Sequence, residues 1–296
     1  MSMSKCVDNP ATSQRGTIQF IKYQTNKSAL VLASLSRPAS RNAFSFDTYL
    51  DLIDLLDQVT NDDSLSGIVL TGTGPYFSSG ADLKESNFME LDDDKSSMTN
   101  KPPGRFMAAM LKFPKVIAAA VNGPAVGIGV TLLLHCDLVF CLETATFWIP
   151  FNRLALVPEF CSSVSLIESM GVAKANELLL LGKKIDAHTA ERYNICSRVI
   201  MKKDLNPTNT TEEESNNNPF HERSIGIYMC REILHSLLDL PHGHETSMIF
   251  VRLIRSRRRE RLEKVCNEEL CILDERFKRG DVLSAALELS FGKSKL

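Results

Sequence analysis

Residues Val116 to Asp137 read VIAAAVNGPAVGIGVTLLLHCD, an apolar run, a glycine-bearing turn and a second apolar run without a break. Val116 to Val121 is short, apolar and bounded by Pro114 and by Asn122-Gly123, the pattern of a strand covered on both faces. Gly127 and Gly129 bracket Ile128 where a helix should begin. Glycine lets the backbone turn sharply and approach a ligand, and the first N–H groups of a helix have no partner within it. Donors so placed can hold a developing negative charge. An ordinary strand-turn-helix connection would carry the same pattern. The Gly-x-Gly spacing also opens a dinucleotide fingerprint, but its third glycine position is Leu132, so that motif is incomplete.

The same arrangement occurs upstream. Gly67 to Gly72 (GIVLTG) reads as a buried strand, and Gly74 to Leu83 (GPYFSSGADL) as a small-residue turn. Before it, TIQFIKYQ from Thr17 and ALVLASLS from Ala29 alternate as strands, and Thr25 to Ser28 makes them a hairpin. A loop from Ser36 to Phe44 leads to Ser45, a cap for a helix with Tyr49, Leu52, Ile53, Leu55 and Leu56 at helical spacing. Arg105 to Phe113 reads as a short helix. Downstream, Leu138–Cys141 and Ala145–Ile149 read as strands, and Ser162-Ser163 as the cap of a helix ending at Gly171. Helices over Ala173–Leu181 and Ala187–Tyr193 and a strand over Ser197–Ile200 complete the pattern. Repeated strand, turn and helix imply an α/β fold with stacked sheets and turns facing one site.

This divides the chain into a polar start, 1–15, expected to be disordered; a core, 16–200; a polar insertion, 201–223, carrying NPTNTTEEESNNNP; and a helical region, 224–296, with Thr246 or Ser247 as a cap. The acidic stretch Glu85 to Lys101 reads as a mobile loop beside the site.

With 296 residues, 44% hydrophobic and 24% charged, the composition is that of a soluble globular protein. A net charge of −2 gives no broad attraction to nucleic acid or anionic membrane. The eight cysteines form no CxxC pair, and Cys136, Cys141 and Cys196 sit in apolar runs, which fits a reducing compartment. The start carries no apolar signal core, and no run of roughly 18 apolar residues could span a bilayer. Ser294-Lys295-Leu296 is a C-terminal peroxisomal address, read by an import receptor. The six histidines show no metal-ligand spacing.

Several motifs occur in a telling order: NAF at Asn42–Phe44, FSSGADL at Phe77–Leu83, NGPAVGIG at Asn122–Gly129 with Cys136-Asp137, PEFCSS at Pro158–Ser163, and Arg255 to Glu269 with the terminal SKL. Together they resemble the crotonase, or enoyl-CoA hydratase/isomerase, superfamily, and within it the peroxisomal Δ3,Δ2-enoyl-CoA isomerases. The resemblance implies a core of stacked ββα turns in a spiral with a C-terminal all-helical region, assembled as a homotrimer or homohexamer. It implies a fatty enoyl-CoA substrate and no cofactor, coenzyme A being part of the substrate. The thioester oxygen would lie between the N–H groups of Ala81 and Ile128. Ala43, Ser79, Gly80, Ala81, Asp82, Leu83 and Ile128 would line the substrate path, with Asp82 bracing the turn.

Glu159 matches the single glutamate of the isomerases. The two glutamates of the hydratases fall at Thr131 and Phe151, so water addition is disfavoured; Glu168 or the acidic loop would be the fallback source of a second acid. Leu156, Val157 and Phe160 would desolvate Glu159 and strengthen it as a base, whereas the adjacent helix N-terminus would favour its ionised form. A solvent-exposed first-turn carboxylate is the alternative. Arg37 and Arg41 could meet CoA phosphates or be solvated loop charges. The basic run Arg252, Arg255, Arg257, Arg258, Arg259 and Arg261 reads, in this context, as a helix surface assisting phosphate binding rather than as a nucleic-acid site. The expected activity is 3-enoyl-CoA to 2-enoyl-CoA isomerisation in peroxisomal β-oxidation. Another crotonase-type enzyme, a residual hydratase or dienoyl-CoA isomerase, and a non-catalytic acyl-CoA- or RNA-binding member are the alternatives.

Overall fold

A computed structural model describes residues 5–6, 10–83, 97–205, 218–221 and 224–291. Ser294 to Leu296, most of the acidic stretch and most of the polar insertion lie outside the described residues. The strands are β1 (Lys5–Cys6), β2 (Ala11–Thr12), β3 (Ile18–Gln24), β4 (Ala29–Leu35), β5 (Gly67–Gly72), β6 (Val116–Val121), β7 (Ala125–Val126), β8 (Leu138–Leu142), β9 (Thr146–Trp148), β10 (Ile185–Asp186) and β11 (Arg198–Ile200). The helices are α1 (Phe46–Asn61), α2 (Pro102–Lys112), α3 (Ile128–Thr131), α4 (Ser162–Met170), α5 (Val172–Leu179), α6 (Ala187–Arg192), α7 (Lys202–Leu205), α8 (Ile225–Ile233), α9 (Gly243–Lys278) and α10 (Asp281–Phe291).

The large sheet runs β1-β3-β4-β5-β6-β8-β11, with β2 also on β3. Its β3–β4 pair is the expected antiparallel hairpin, and every pair from β4 to β11 is parallel. Strand β6 lies inside the sheet and is buried throughout. Ile117, Ala119 and Val121 pack with the α1 and α2 side, including Tyr49 and Phe106. Ala118 and Ala120 face the other way, against Ile227, Met229 and Cys230 of α8. Alternating faces both buried, with alanine admitting close layers, account for the uninterrupted apolar run.

A second sheet, β10-β9-β7, carries the glycine turn into α3. The two sheets, joined by these turns and followed by the C-terminal helical region, form the layered α/β arrangement expected from the sequence.

Three expectations need correction. Residues before 16 are not disordered throughout: β1 and β2 pair with β3, the Ser13 hydroxyl donates to Asp51 at 2.6 Å, and the Arg15 N–H donates to the same carboxylate at 3.0 Å. Asp51 is buried on α1, and a buried carboxylate must be satisfied by whatever chain passes it. Helix α9 starts neither at Thr246 nor at Ser247 but at Gly243, where a Cβ would sit 2.1 Å from the Leu237 carbonyl oxygen. Close backbone approach, not a hydroxyl cap, sets that boundary.

The third concerns Arg255, Arg258 and Arg261 of the basic run. Arg255 pairs with Asp137 and donates to the Phe113 carbonyl, while Arg258 and Arg261 pair with Glu168 at 2.6 and 2.7 Å. These arginines dock α9 on the core, and Glu168 is committed to them.

Candidate active site

The Gly80 turn lies beyond β5 and the Gly127 turn beyond β6, after the short β7; β5 and β6 are parallel neighbours, so their C-terminal ends lie side by side. Asn42 ties the first turn down: its side-chain N–H₂ donates to the carbonyls of Thr73 and Tyr76 at 2.9 and 2.8 Å, and its oxygen accepts the Arg37 N–H at 3.0 Å. The Ser78 hydroxyl donates to the Asn42 carbonyl at 2.9 Å and accepts the Gly80 N–H at 3.1 Å. Ser78 also bridges to Ala125, so the first turn is stitched to β7. Gly127 has φ 53 and ψ −121, a conformation open to glycine, and Gly80 has φ 93.

Those bonds occupy the N–H groups around the two positions but not the positions themselves. Val126 donates to Ser78, Gly127 to Trp148 and Asp82 to Phe44. The N–H groups of Ala81 and Ile128 make no hydrogen bond among the described residues. Ile128 opens α3, so its N–H has no helical partner.

Both residues line one cleft of about 670 Å³, mouth included. Ser79, Gly80 and Leu83 continue that wall. Phe151, Leu154 and Leu156 form a second, and Leu270, Leu273 and Phe277 of α9 close the cleft with Tyr49 of α1. Two expected lining residues are elsewhere: Ala43 is buried with its carbonyl accepting from Arg37 at 2.7 Å, and Asp82 pairs with Arg37 at 3.1 Å. Arg37 is therefore an internal brace. Arg41 lies over the Tyr76 ring, 5.3 Å from its centre. None of the six arginines of the basic run lines the cleft.

Glu159 lines the cleft and makes no hydrogen bond or ion pair through its carboxyl among the described residues. Burial, with the Glu269 charge adding to it, pushes its pKa up to about 8. Desolvation thus prevails over the helix N-terminus, and the reason is visible in α4. The expected Ser162-Ser163 cap is absent: the cap position is Cys161, and the Ser162 hydroxyl has no partner among the described residues. The carboxylate of Glu269 takes the Cys161 N–H at 2.7 Å and the Ser163 N–H at 3.0 Å. The Ser162 N–H goes to the Glu159 carbonyl at 3.1 Å. The N–H groups of Cys161, Ser162 and Ser163 are thus all taken by acceptors other than the Glu159 carboxyl.

Thr131 is buried and does not line the cleft, whereas Phe151 does. Among the described lining residues Glu159 is the one carboxylic acid. The site therefore combines two unpartnered N–H donors, one acid of raised pKa and apolar walls.

A family model described as enoyl-CoA hydratase/isomerase matches residues 25–219. The chain belongs to the enoyl-CoA hydratase/isomerase family. It is 33% identical over 301 residues to mouse peroxisomal enoyl-CoA delta isomerase 3, covering 99% of this chain and 87% of that protein. To rat enoyl-CoA delta isomerase 2 it is 34% identical, covering 92% of this chain and 64% of the relative's length. An Escherichia coli 2,3-dehydroadipyl-CoA hydratase is 34% identical over 58% of this chain. The solved structure of Pseudomonas aeruginosa OdaA superposes with a TM-score of 0.76 at 30% identity, covering 94% of this chain and 99% of that one. This crotonase-type protein is an enoyl-CoA isomerase or hydratase, of a family that binds enoyl-CoA substrates.

Two features escape the sequence reading. Glu269 and the lining residues Leu270, Leu273 and Phe277 come from a helix far along the chain. The signal was present: Leu262, Cys266, Glu269, Leu270, Leu273 and Phe277 recur at helical spacing, so Glu269 is a charge on an apolar stripe. Such a charge needs a buried partner.

Proposed function

We propose that the chain is a Δ3,Δ2-enoyl-CoA isomerase that shifts the double bond of a 3-enoyl-CoA to give trans-2-enoyl-CoA. The observation that carries this reading is Glu159, without a partner for its carboxyl among the described residues, in the same apolar cleft as the unbonded N–H groups of Ala81 and Ile128. The Glu159 carboxylate removes a C2 proton, and the electron pair moves onto the thioester oxygen. The N–H groups of Ala81 and Ile128 stabilise that enolate; one such donor is typically worth ~10²–10³ in rate. The same proton returns at C4 as the double bond settles between C2 and C3, so atoms balance without water or cofactor. Hydration needs a second group to hold and activate water, and Thr131 and Phe151 stand where the family's hydratase glutamates fall.

The terminal Ser294-Lys295-Leu296, together with a mouse relative named as peroxisomal, supports a place in peroxisomal β-oxidation of unsaturated fatty acids. A homotrimer or homohexamer would cover the exposed Phe250, Leu253 and Ile254 of α9.

Glu159→Gln tests the assignment. It keeps the size and removes the base, so isomerisation falls by at least ~10²-fold while binding of a saturated acyl-CoA changes by less than about twofold. Equal loss of binding would make the carboxylate structural.

A further inference from the structure

The turn that delivers Glu159 is held in an unfavourable shape. Phe160 and Cys161 are consecutive non-glycine residues with φ of 54° and 60°. Side chains rarely adopt that region, and a bulky aromatic there persists only where its surroundings dictate it. The surroundings are two clamps. His135 donates through Nε2 to the Phe160 carbonyl at 2.7 Å, and its ring stacks on the Phe160 ring with centres 4.2 Å apart. Burial pushes the His135 pKa down to about 4, so the ring is neutral and that donor role is fixed. In the second, Glu269, 6% exposed, takes the N–H groups of Cys161 and Ser163 on separate oxygens, and the Cys161 thiol donates to the Leu262 carbonyl of α9 at 3.2 Å.

We propose that Glu269 is a positioning residue for the reaction: from α9, 108 residues beyond Cys161, its carboxylate fixes the Phe160–Ser163 turn and thereby sets the place and the electrostatic surroundings of Glu159. The kinetic part of this rests on the isomerase reading; the electrostatic part does not.

Three consequences follow from the geometry. Burial raises the proton affinity of the Glu269 carboxyl and the N–H groups of Ser163 and Cys161 oppose that rise, so Glu269, when ionised, sets a negative charge that adds to the burial of the base. That charge also occupies the helix end that would otherwise stabilise ionised Glu159. Finally, it joins the base to α9, the helix that supplies Leu270, Leu273 and Phe277 to the cleft, so wall and base are registered to one another.

The titratable and charged groups packed around this turn are Glu269 and Cys266 of α9, Cys161 in the turn, His135, and Tyr49 across the cleft. Arg255 and Arg258 act at longer range on His135, and Arg258 on Cys161. Among these, Glu269 is the one whose charge bears on Glu159.

The test uses the full-length protein with 13C-labelled glutamate carboxyls, the Glu159 resonance being assigned with Glu159→Gln. NMR titration of wild type gives the Glu159 midpoint near 8, and Glu269→Gln moves it down by about one pH unit. In the same variant kcat on 3-enoyl-CoA falls by at least about tenfold, and the acidic limb of its pH profile moves to lower pH. Glu269→Asp keeps the charge but shortens the reach, so its midpoint stays near the wild-type value while kcat falls. An unchanged midpoint in folded Glu269→Gln overturns the proposal, as does a loss of kcat by one factor at every pH. Should Glu269→Gln not fold, wild-type kcat in Glu269→Asp overturns it. If wild type fails to isomerise 3-enoyl-CoA, the isomerase reading fails, and the NMR midpoints still decide whether Glu269 controls Glu159.

Discussion

Gly80 and Gly127 bring their turns together backbone to backbone: a Cβ on Gly80 would lie 3.1 Å from the Val126 carbonyl oxygen and 3.9 Å from the Gly127 Cα. The free N–H groups of Ala81 and Ile128 each follow one of these glycines, so the contact sets how the two donors converge. Gly80→Ala adds a side chain at φ 93, where it is strained, and pushes the turns apart. The expected result is a folded protein whose kcat drops by ~10²-fold or more, as for loss of one oxyanion donor. Wild-type kcat with unchanged thermal stability would show that the two turns do not act as a pair.

The raised pKa of Glu159 has a definite pH consequence. The base works ionised, so kcat/KM rises with pH and levels off above an apparent pKa near 8 in the free enzyme. A pH–rate profile on 3-enoyl-CoA checks this. A plateau already reached at pH 6 would mean that Glu159 is not desolvated in solution.

Stability moves in the opposite sense. The folded pKa lies above the ordinary glutamate value of 4.5, so the native state holds this proton more tightly than the unfolded chain. Its contribution to stability is complete below that ordinary value and is lost as pH rises through about 8. Glu159→Gln never loses a proton there. It is therefore expected to melt at least about 3 °C above wild type at pH 9, with a small difference at pH 5. Melting curves at the two pH values decide it, and a difference independent of pH would contradict the assigned shift.

Arg255 separates the two readings of the basic helix. It pairs with Asp137, whose carboxylate also accepts the Ile117 N–H at 2.9 Å at the start of the central strand. Arg255→Gln should destabilise the fold by about 1–3 kcal/mol, seen as a lower Tm, with KM for the CoA thioester changed less than about twofold. A large rise in KM at unchanged Tm would return the residue to phosphate binding.

The elements that close locally were legible in the sequence. The Val116–Val121 run carried its own burial pattern, Gly127 announced its turn, and Ser45 caps α1 as read, accepting the Thr48 N–H. What failed was local reading of groups with distant partners. Ser162 and Ser163 are good cap types, but Glu269 occupies the helix end first. Arg255, Arg258 and Arg261 of α9 look like a ligand surface because Asp137 and Glu168, their partners, lie about a hundred positions away. The open question at Glu159, burial against helix end, could not be settled from its neighbours, because its burial depends on the distant cleft walls and the helix-end N–H groups go to Glu269 of α9.

The most direct test of the central claim is to give the purified protein 3-enoyl-CoA and 2-enoyl-CoA of the same chain length, side by side. One acid suffices for proton transfer between C2 and C4, whereas water addition lacks its second group, a loss that commonly costs ~10²–10⁴ in rate. Conversion of 3-enoyl-CoA to 2-enoyl-CoA should exceed formation of the 3-hydroxy product by at least about a hundredfold. Comparable rates on the two substrates would contradict the account and require a second carboxyl group at the cleft.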